Sequence, residues 1–176
     1  WLRQALIANG VPVEKLILCR HGATQAPNDV APAAGVPDRN ELRIAFMGRV
    51  DSTKGPHILM EAIRQRPRLA IKLDVYPIIQ DSLQYADDLR GRVRNDSRIE
   101  FLTPIPNGEV VARLQSYDAL AVPSLAMETG PLVVYDAFSA GIPVIGSNRG
   151  GIAELVTHER DGLLVAPGDV GAWSEA

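Results

Sequence analysis

The residues best suited to chemistry are Glu128 and Asp136, two carboxylates eight positions apart in the run Glu128-Thr129-Gly130-Pro131-Leu132-Val133-Val134-Tyr135-Asp136. Pro131 reads as the first residue of a helix, where its missing N–H is one that a helix start leaves unpaired in any case. The amides just ahead of it, on Thr129 and Gly130, would then meet phosphate, which unpaired N–H groups and a partial positive charge attract to a helix start. Carboxylates beside a phosphate repel it unless they are aimed at hydroxyls. Glu128, on the loop, suits sugar hydroxyls, and Asp136, about one and a half turns into the helix, suits a ribose diol. A ligand with both demands is a nucleotide-sugar. The competing reading makes Glu128 a helix cap and Asp136 a solvated side chain.

A second group of residues has the charge such a ligand needs. In Gly48-Arg49-Val50-Asp51-Ser52-Thr53-Lys54-Gly55-Pro56, two cations flank the junction of a strand with a helix whose first residue is Pro56. Arg49 offers a planar fork and Lys54 a compact charge, a suitable pair for neutralising a diphosphate. Two solvated charges in an ordinary loop are the alternative. Farther on, Gly141 ends a helix, and Gly150-Gly151 precede another; close backbone approach and plain turn geometry both account for that pair, and Arg149 and Glu154 are equally open.

Other chemistries lack support. His21, His57 and His158 are scattered singly, and Cys19 is the only cysteine, so neither a metal centre nor a Ser-His-Asp triad is indicated. Ser139 lies in a helical pattern, not at a strand-to-helix elbow. No Walker loop and no Gly-x-Gly-x-x-Gly follows the first strand, which argues against common NTPases and dinucleotide oxidoreductases. A formal charge of -3 argues against nucleic acid as a partner. No apolar run reaches the roughly 18 residues of a membrane helix. A single cysteine, read here as a small buried hydrophobe, fits a cytoplasmic protein.

The elements that must position these residues begin near residue 42. Short runs of Val, Ile and Leu alternate with helical patterns, the sign of a parallel sheet with crossover helices. Six strands are predicted at 43–50, 69–78, 99–103, 119–124, 143–147 and 162–166, with helices centred near Met60, Leu89, Ala112, Val134, Ala153 and Trp173. The class is α/β, a Rossmann-like doubly wound sheet with helices on both faces. Ligands of such sheets lie beyond the carboxyl ends of the strands, where the unusual residues fall. Residues 1–10 read as the end of a helix stopped by glycine, and 14–20 as a further strand. The Ala-, Pro- and Gly-rich stretch 22–39 reads as a linker. The expected division is therefore 1–39, the end of a preceding domain plus linker, and 40–176, a nucleotide-sugar-binding domain. Starting at Trp1 and ending inside a helical pattern, the sequence has the look of a piece of something longer.

Taken in order, Gly48-Arg49-Val50-Asp51-Ser52-Thr53-Lys54-Gly55, Pro123-Ser124, the run from Glu128 to Asp136, Ala137-Phe138-Ser139-Ala140-Gly141-Ile142-Pro143-Val144-Ile145 and the stretch 150–169 resemble the carboxyl-terminal domain of retaining family 4 glycosyltransferases. The resemblance covers about residues 40–170. It implies one half of a GT-B enzyme that moves a sugar from a nucleotide-diphosphate sugar to an acceptor hydroxyl, without a metal or other cofactor. Arg49 and Lys54 would neutralise the diphosphate and Glu128 would hold the transferred sugar as catalytic residues. Gly48, Thr129, Gly130, Pro131 and Leu132 would meet sugar or phosphate, and Thr103, Pro104 and Ile105 the base. Asp136 stands where the family has a ribose-binding glutamate, one methylene shorter in reach. The acceptor, a glycan, lipid or small molecule, would be held by a missing amino-terminal domain, leaving the fragment inactive alone. The alternative is a Rossmann-like scaffold domain that has lost donor binding, a reading motivated by Asp136.

Overall fold

The computed structural model describes residues 1–20, 22, 40–78 and 83–176. The predicted linker lies outside them, save for Gly22. Six parallel strands form one sheet: β1 (Leu42–Arg49), β2 (Ile71–Ile78), β3 (Ile99–Phe101), β4 (Ala119–Val122), β5 (Val144–Ser147) and β6 (Gly162–Val165). Their spatial order is β3-β2-β1-β4-β5-β6, so the chain winds outward from β1 in one direction, then returns to the centre and winds in the other. β1 pairs with β2 along its whole length, from Leu42 opposite Ile71 to Arg49 opposite Ile78, and with β4 through Ile44 and Ala45. The crevice between the ends of β1 and β4 is thus the switch point, the standard ligand position of this architecture.

Alternation along each strand sends neighbouring residues to opposite faces. Ile44 and Phe46 of β1 join Leu73 and Val75 of β2 in one core, closed by α2 (Pro56–Gln65), α3 (Leu83–Val93) and α7 (Val170–Glu175) through Leu59, Met60, Leu89 and Trp173. Ala45, Leu120, Val122 and Val144 build the other core, with α4 (Val110–Leu114), α5 (Leu132–Ser139) and α6 (Gly150–Leu155) supplying Leu114, Val134, Ala137 and Ile152. Both faces are therefore covered, as expected for strands that read as continuous apolar runs. One polar network is buried in the second core. Asp74, 2 % exposed, accepts from Tyr117 Oη at 2.8 Å and Arg43 Nη2 at 3.0 Å, while the Tyr76 and Tyr117 hydroxyls lie 2.7 Å apart. Burial, then the bonds to Tyr76 and Asp74, push the Tyr117 hydroxyl far above its usual range. Both bonds go to Oδ2; Oδ1 is buried without a hydrogen bond among the described residues, with the Lys72 ammonium 3.8 Å away as its nearest charge partner.

The amino-terminal stretch departs from expectation. Helix α1 (Leu2–Ala8) is present, but the predicted strand at 14–20 is a 3-10 turn at Val13–Lys15 followed by chain with no sheet partner. Its apolar run Leu16-Ile17-Leu18 has strand composition, yet strands need hydrogen-bonded neighbours and β6 and β3 hold the sheet's edges elsewhere. Ile17 is 90 % exposed, and Cys19 is exposed rather than a buried hydrophobe. Among the described residues no helix is long and apolar enough to cross a membrane.

Candidate functional site

Asp51 shapes the loop after β1. Its Oδ1 accepts from the amides of Thr53 at 2.9 Å and Lys54 at 3.1 Å and from the Thr53 hydroxyl at 2.5 Å, capping the 3-10 turn Ser52–Lys54. Burial pushes the Asp51 carboxyl up, but the Thr53 hydroxyl, the Lys54 amide, the Arg49 charge and the Thr53 amide outweigh it and hold it below its usual range. The turn ends at Gly55, whose φ of 68° is left-handed, and Pro56 follows at the first position of α2. Only glycine fits at 55 for a second reason: a Cβ there would stand 2.1 Å from the Pro123 carbonyl oxygen. The loop after β1 is thereby pressed against the loop after β4. Leu125 and Ala126 complete the seam by donating to the Thr53 carbonyl at 2.7 and 3.3 Å.

That seam brings the sequence-predicted cation to the predicted carboxylate. Lys54 Nζ lies 2.5 Å from Glu128 Oε1, and the Ser124 hydroxyl donates to the same oxygen at 2.8 Å. Both charged side chains are largely covered, at 24 % and 15 % exposure. The pair is more than a surface ion pair, because each partner would be left partly desolvated without the other. Arg49, half-exposed, lies 3.4 Å from Asp51 Oδ2 at the end of β1 and keeps most of its fork free. Gly48 just before it has a φ of 152°.

The backbone of Glu128 is clamped as firmly as its side chain. Its carbonyl accepts from the Gly151 amide at 2.6 Å and from the Trp1 indole at 2.8 Å. Both readings of the glycine pair hold: Gly150 has a left-handed φ of 54°, and Cβ atoms added at Gly150 and Gly151 would lie 3.0 Å from Glu128 N and 2.8 Å from Glu128 O. Arg149 donates to the Leu125 carbonyl at 2.6 Å, tying the start of α6 to the same loop. Glu154 turns away from it, to the Trp1 amino group and Arg20.

Pro131 proves to be the N-cap of α5, not its first residue, so the helix begins at Leu132. Thr129 and Gly130 lie just ahead of it and face a cleft of about 460 Å³ that Trp1, Leu6, Tyr135 and Gly151 also line. Leu132 is 58 % exposed. Asp136, fifth residue of α5, is half-buried and has no hydrogen-bond or ion-pair partner among the described residues. Burial pushes its carboxyl above the usual range. Thr103, Pro104 and Ile105 follow the edge strand β3, separated from the crevice by β2; Ile105 packs on the core that α5 shares, while Thr103 and Pro104 are exposed. The structure thus joins Lys54 and Glu128 at the switch point, with Arg49 at the end of β1, turns Thr129 and Gly130 to the cleft that Trp1 lines, and leaves the 103–105 loop beside β3.

Sequence reasoning gave no role to Ser124, Asp51 or the His57–Tyr85 pair, although Asp51 and Ser124 lie within the motifs quoted above. The cap had a legible signal, an Asp two residues before the Thr whose amide it accepts. The pair did not: Tyr85 Oη meets His57 Nδ1 at 2.6 Å only because α2 and α3 lie side by side. Burial raises Tyr85 to about 12, and burial followed by the Arg92 charge lowers His57.

The geometry can be set beside known proteins. The family model described as glycosyl transferases group 1 matches residues 29–176. D-inositol 3-phosphate glycosyltransferase of Corynebacterium urealyticum is 30 % identical over 182 residues, covering 99 % of this chain and 42 % of that protein. Anabaena Alr3699/HepE, solved in complex with UDP and glucose, superposes with a TM-score of 0.79 at 23 % identity, covering 98 % of this chain and 49 % of that one. The C-terminal domain of a glycosyl transferase group 1 family protein (LpcC) from Francisella tularensis superposes with a TM-score of 0.66 at 20 % identity, covering 76 % of this chain and 72 % of that one. The chain spans between 31 % and 42 % of the length of the curated relatives it matches.

Proposed function

Since the chain belongs to the glycosyl transferases group 1, we propose that it is the donor-binding half of a GT-B enzyme that transfers a sugar, with retention, from a nucleotide-diphosphate sugar to an acceptor hydroxyl. The observation that carries this reading is the Lys54–Glu128 contact at the switch-point crevice, with Arg49 beside it. A carboxylate for sugar hydroxyls and cations for a diphosphate are the two demands of such a donor, and here they touch. Lys54 has three N–H donors, so it keeps Glu128 while reaching a phosphate oxygen. Arg49 adds a fork suited to the second phosphate. Departure of the nucleoside diphosphate leaves an oxocarbenium-like sugar and gathers negative charge on the leaving oxygen; Arg49 and Lys54 stabilise that charge as it develops. Glu128 orients the sugar, Thr129 to Leu132 and Gly48 line its path, Asp136 takes the ribose and the 103–105 loop the base.

The Anabaena protein holds UDP and glucose, which makes UDP-glucose the first donor to test. The relatives named for D-inositol 3-phosphate make a phosphorylated polyol the first acceptor to assay in a longer protein. Calorimetric titration of the folded chain with UDP-, GDP- and ADP-sugars tests the donor claim directly. Heat with one of them, weakened by about 1 to 3 kcal/mol in Arg49→Ala or Glu128→Ala, is the expected result. Silence at millimolar ligand, or affinity indifferent to both substitutions, sinks it in favour of a scaffold domain.

A further inference from the structure

A second set of arginines lies far from the crevice. Helices α2 and α3 both end at the amino-terminal side of the sheet, because each returns the chain from the carboxyl end of one strand to the start of the next. Between those helix ends lies an open surface depression of about 490 Å³ that Arg64, Arg92, Asn95, Asp96, Ser97 and Arg98 line; Pro67 is its one apolar wall. Arg98 builds the frame. It grips Asp96 through Nε at 2.8 Å and Nη2 at 2.7 Å, and donates to the carbonyls of Arg66 at 2.6 Å and Ile63 at 3.0 Å. The exposed carbonyls at the end of α2, whose partial negative charge would repel an anion, are thereby covered.

Arg64 and Arg92 are left to face the depression. Arg64 makes only an exposed 2.9 Å pair with Glu61 one turn back, the weakly held kind. Arg92, also exposed, has no hydrogen bond or ion pair among the described residues. Three arginines against one aspartate give the lining a net charge of +2, on a chain whose net charge is -3. Guanidinium forks from two separate helices, over a rigid third, match the spread oxygens of a phosphate or diphosphate.

We propose that this depression is an anion site, distinct from the donor crevice, for a small soluble molecule bearing a phosphate or diphosphate group, clamped by Arg64 and Arg92. The polar lining favours a soluble ligand over a lipid headgroup, which would bring acyl chains to a surface with only Pro67 to receive them. The assignment does not depend on the donor reading. Arg64 lies in the last turn of α2, about 12 Å along the helix axis from Pro56 in the first turn, so Arg64 and the loop after β1 sit at opposite ends of that helix.

Pyrophosphate is the probe, titrated by calorimetry into Arg49→Ala/Lys54→Ala, which removes the competing cation pair. That variant is expected to retain one binding event, weakened at least tenfold on adding Arg64→Ala/Arg92→Ala and only partly restored when Arg92→Lys replaces Arg92→Ala. No binding in the first variant, or equal binding in both, overturns the proposal. So does binding to phosphatidylglycerol vesicles without binding to pyrophosphate. Should the quadruple variant lose its circular dichroism spectrum, phenylglyoxal labelling of the double variant decides: pyrophosphate slows modification of Arg92 if the site exists, and an unprotected Arg92 refutes it.

Discussion

Asp136 is the residue at which chemistry and pH meet. It is half-buried without a partner among the described residues, and burial raises its carboxyl above the ordinary value of 3.8. The folded chain therefore holds that proton more tightly than the unfolded chain does, so the ionised form costs stability in full above the raised value and costs nothing below the ordinary one. Asp136→Asn is expected to raise the unfolding temperature at neutral pH, with the gain fading as pH falls toward about 4. Calorimetric unfolding of both proteins across that range checks it, and a pH-independent difference would contradict the burial argument. The same substitution should weaken nucleotide binding if the carboxylate receives a ribose diol, so stability and affinity move in opposite directions. That opposition is common where a site keeps a charge the fold would prefer to lose.

Among the elements, the 3-10 turn after β1 shows how little space the site leaves. Gly55→Ala combines a left-handed φ with a Cβ 2.1 Å from the Pro123 oxygen, and should cost at least about 2 kcal/mol in urea unfolding. Gly108→Ala, with nothing within 4 Å and no positive φ, should be close to neutral. Equal effects would mean that the seam between the two loops yields. This contact also marks the limit of what the sequence discloses. The six strands and their helices were legible from the alternation of apolar runs with helical periods, and Pro56 and Gly141 marked element ends correctly. The order of the strands was not, because parallel pairing joins residues distant in the chain. For the same reason Arg49, Lys54 and Glu128 could be picked by type, but not the bond from Lys54 to Glu128, 74 residues away. The 16–18 run misled, since strand composition says nothing about whether an edge is open to receive it.

At the scale of the whole molecule, the crevice gathers parts from both halves of the sheet. Arg49 ends β1 and Lys54 follows it, Glu128 follows β4 and Gly151 follows β5, so a ligand held by all of them bridges segments that otherwise meet through loops. Nucleotide-sugar at about 100 times its Kd should therefore stabilise global unfolding by about 2.7 kcal/mol, and Arg49→Ala should reduce that gain without changing the ligand-free midpoint. Thermal unfolding with and without UDP-glucose measures both, and a ligand that binds without shifting the midpoint would place it elsewhere than in the native crevice. The seam itself has a bearing on protein engineering. Thr53 receives the amides of Leu125 and Ala126, Gly55 rests on Pro123, and Gly151 holds Glu128. A graft from a homologue meant to change sugar choice would have to transplant 51–55, 123–130 and 149–151 as one cassette, because 123–130 is fitted to both of the others and any one exchanged alone would meet a surface cut to fit its predecessor.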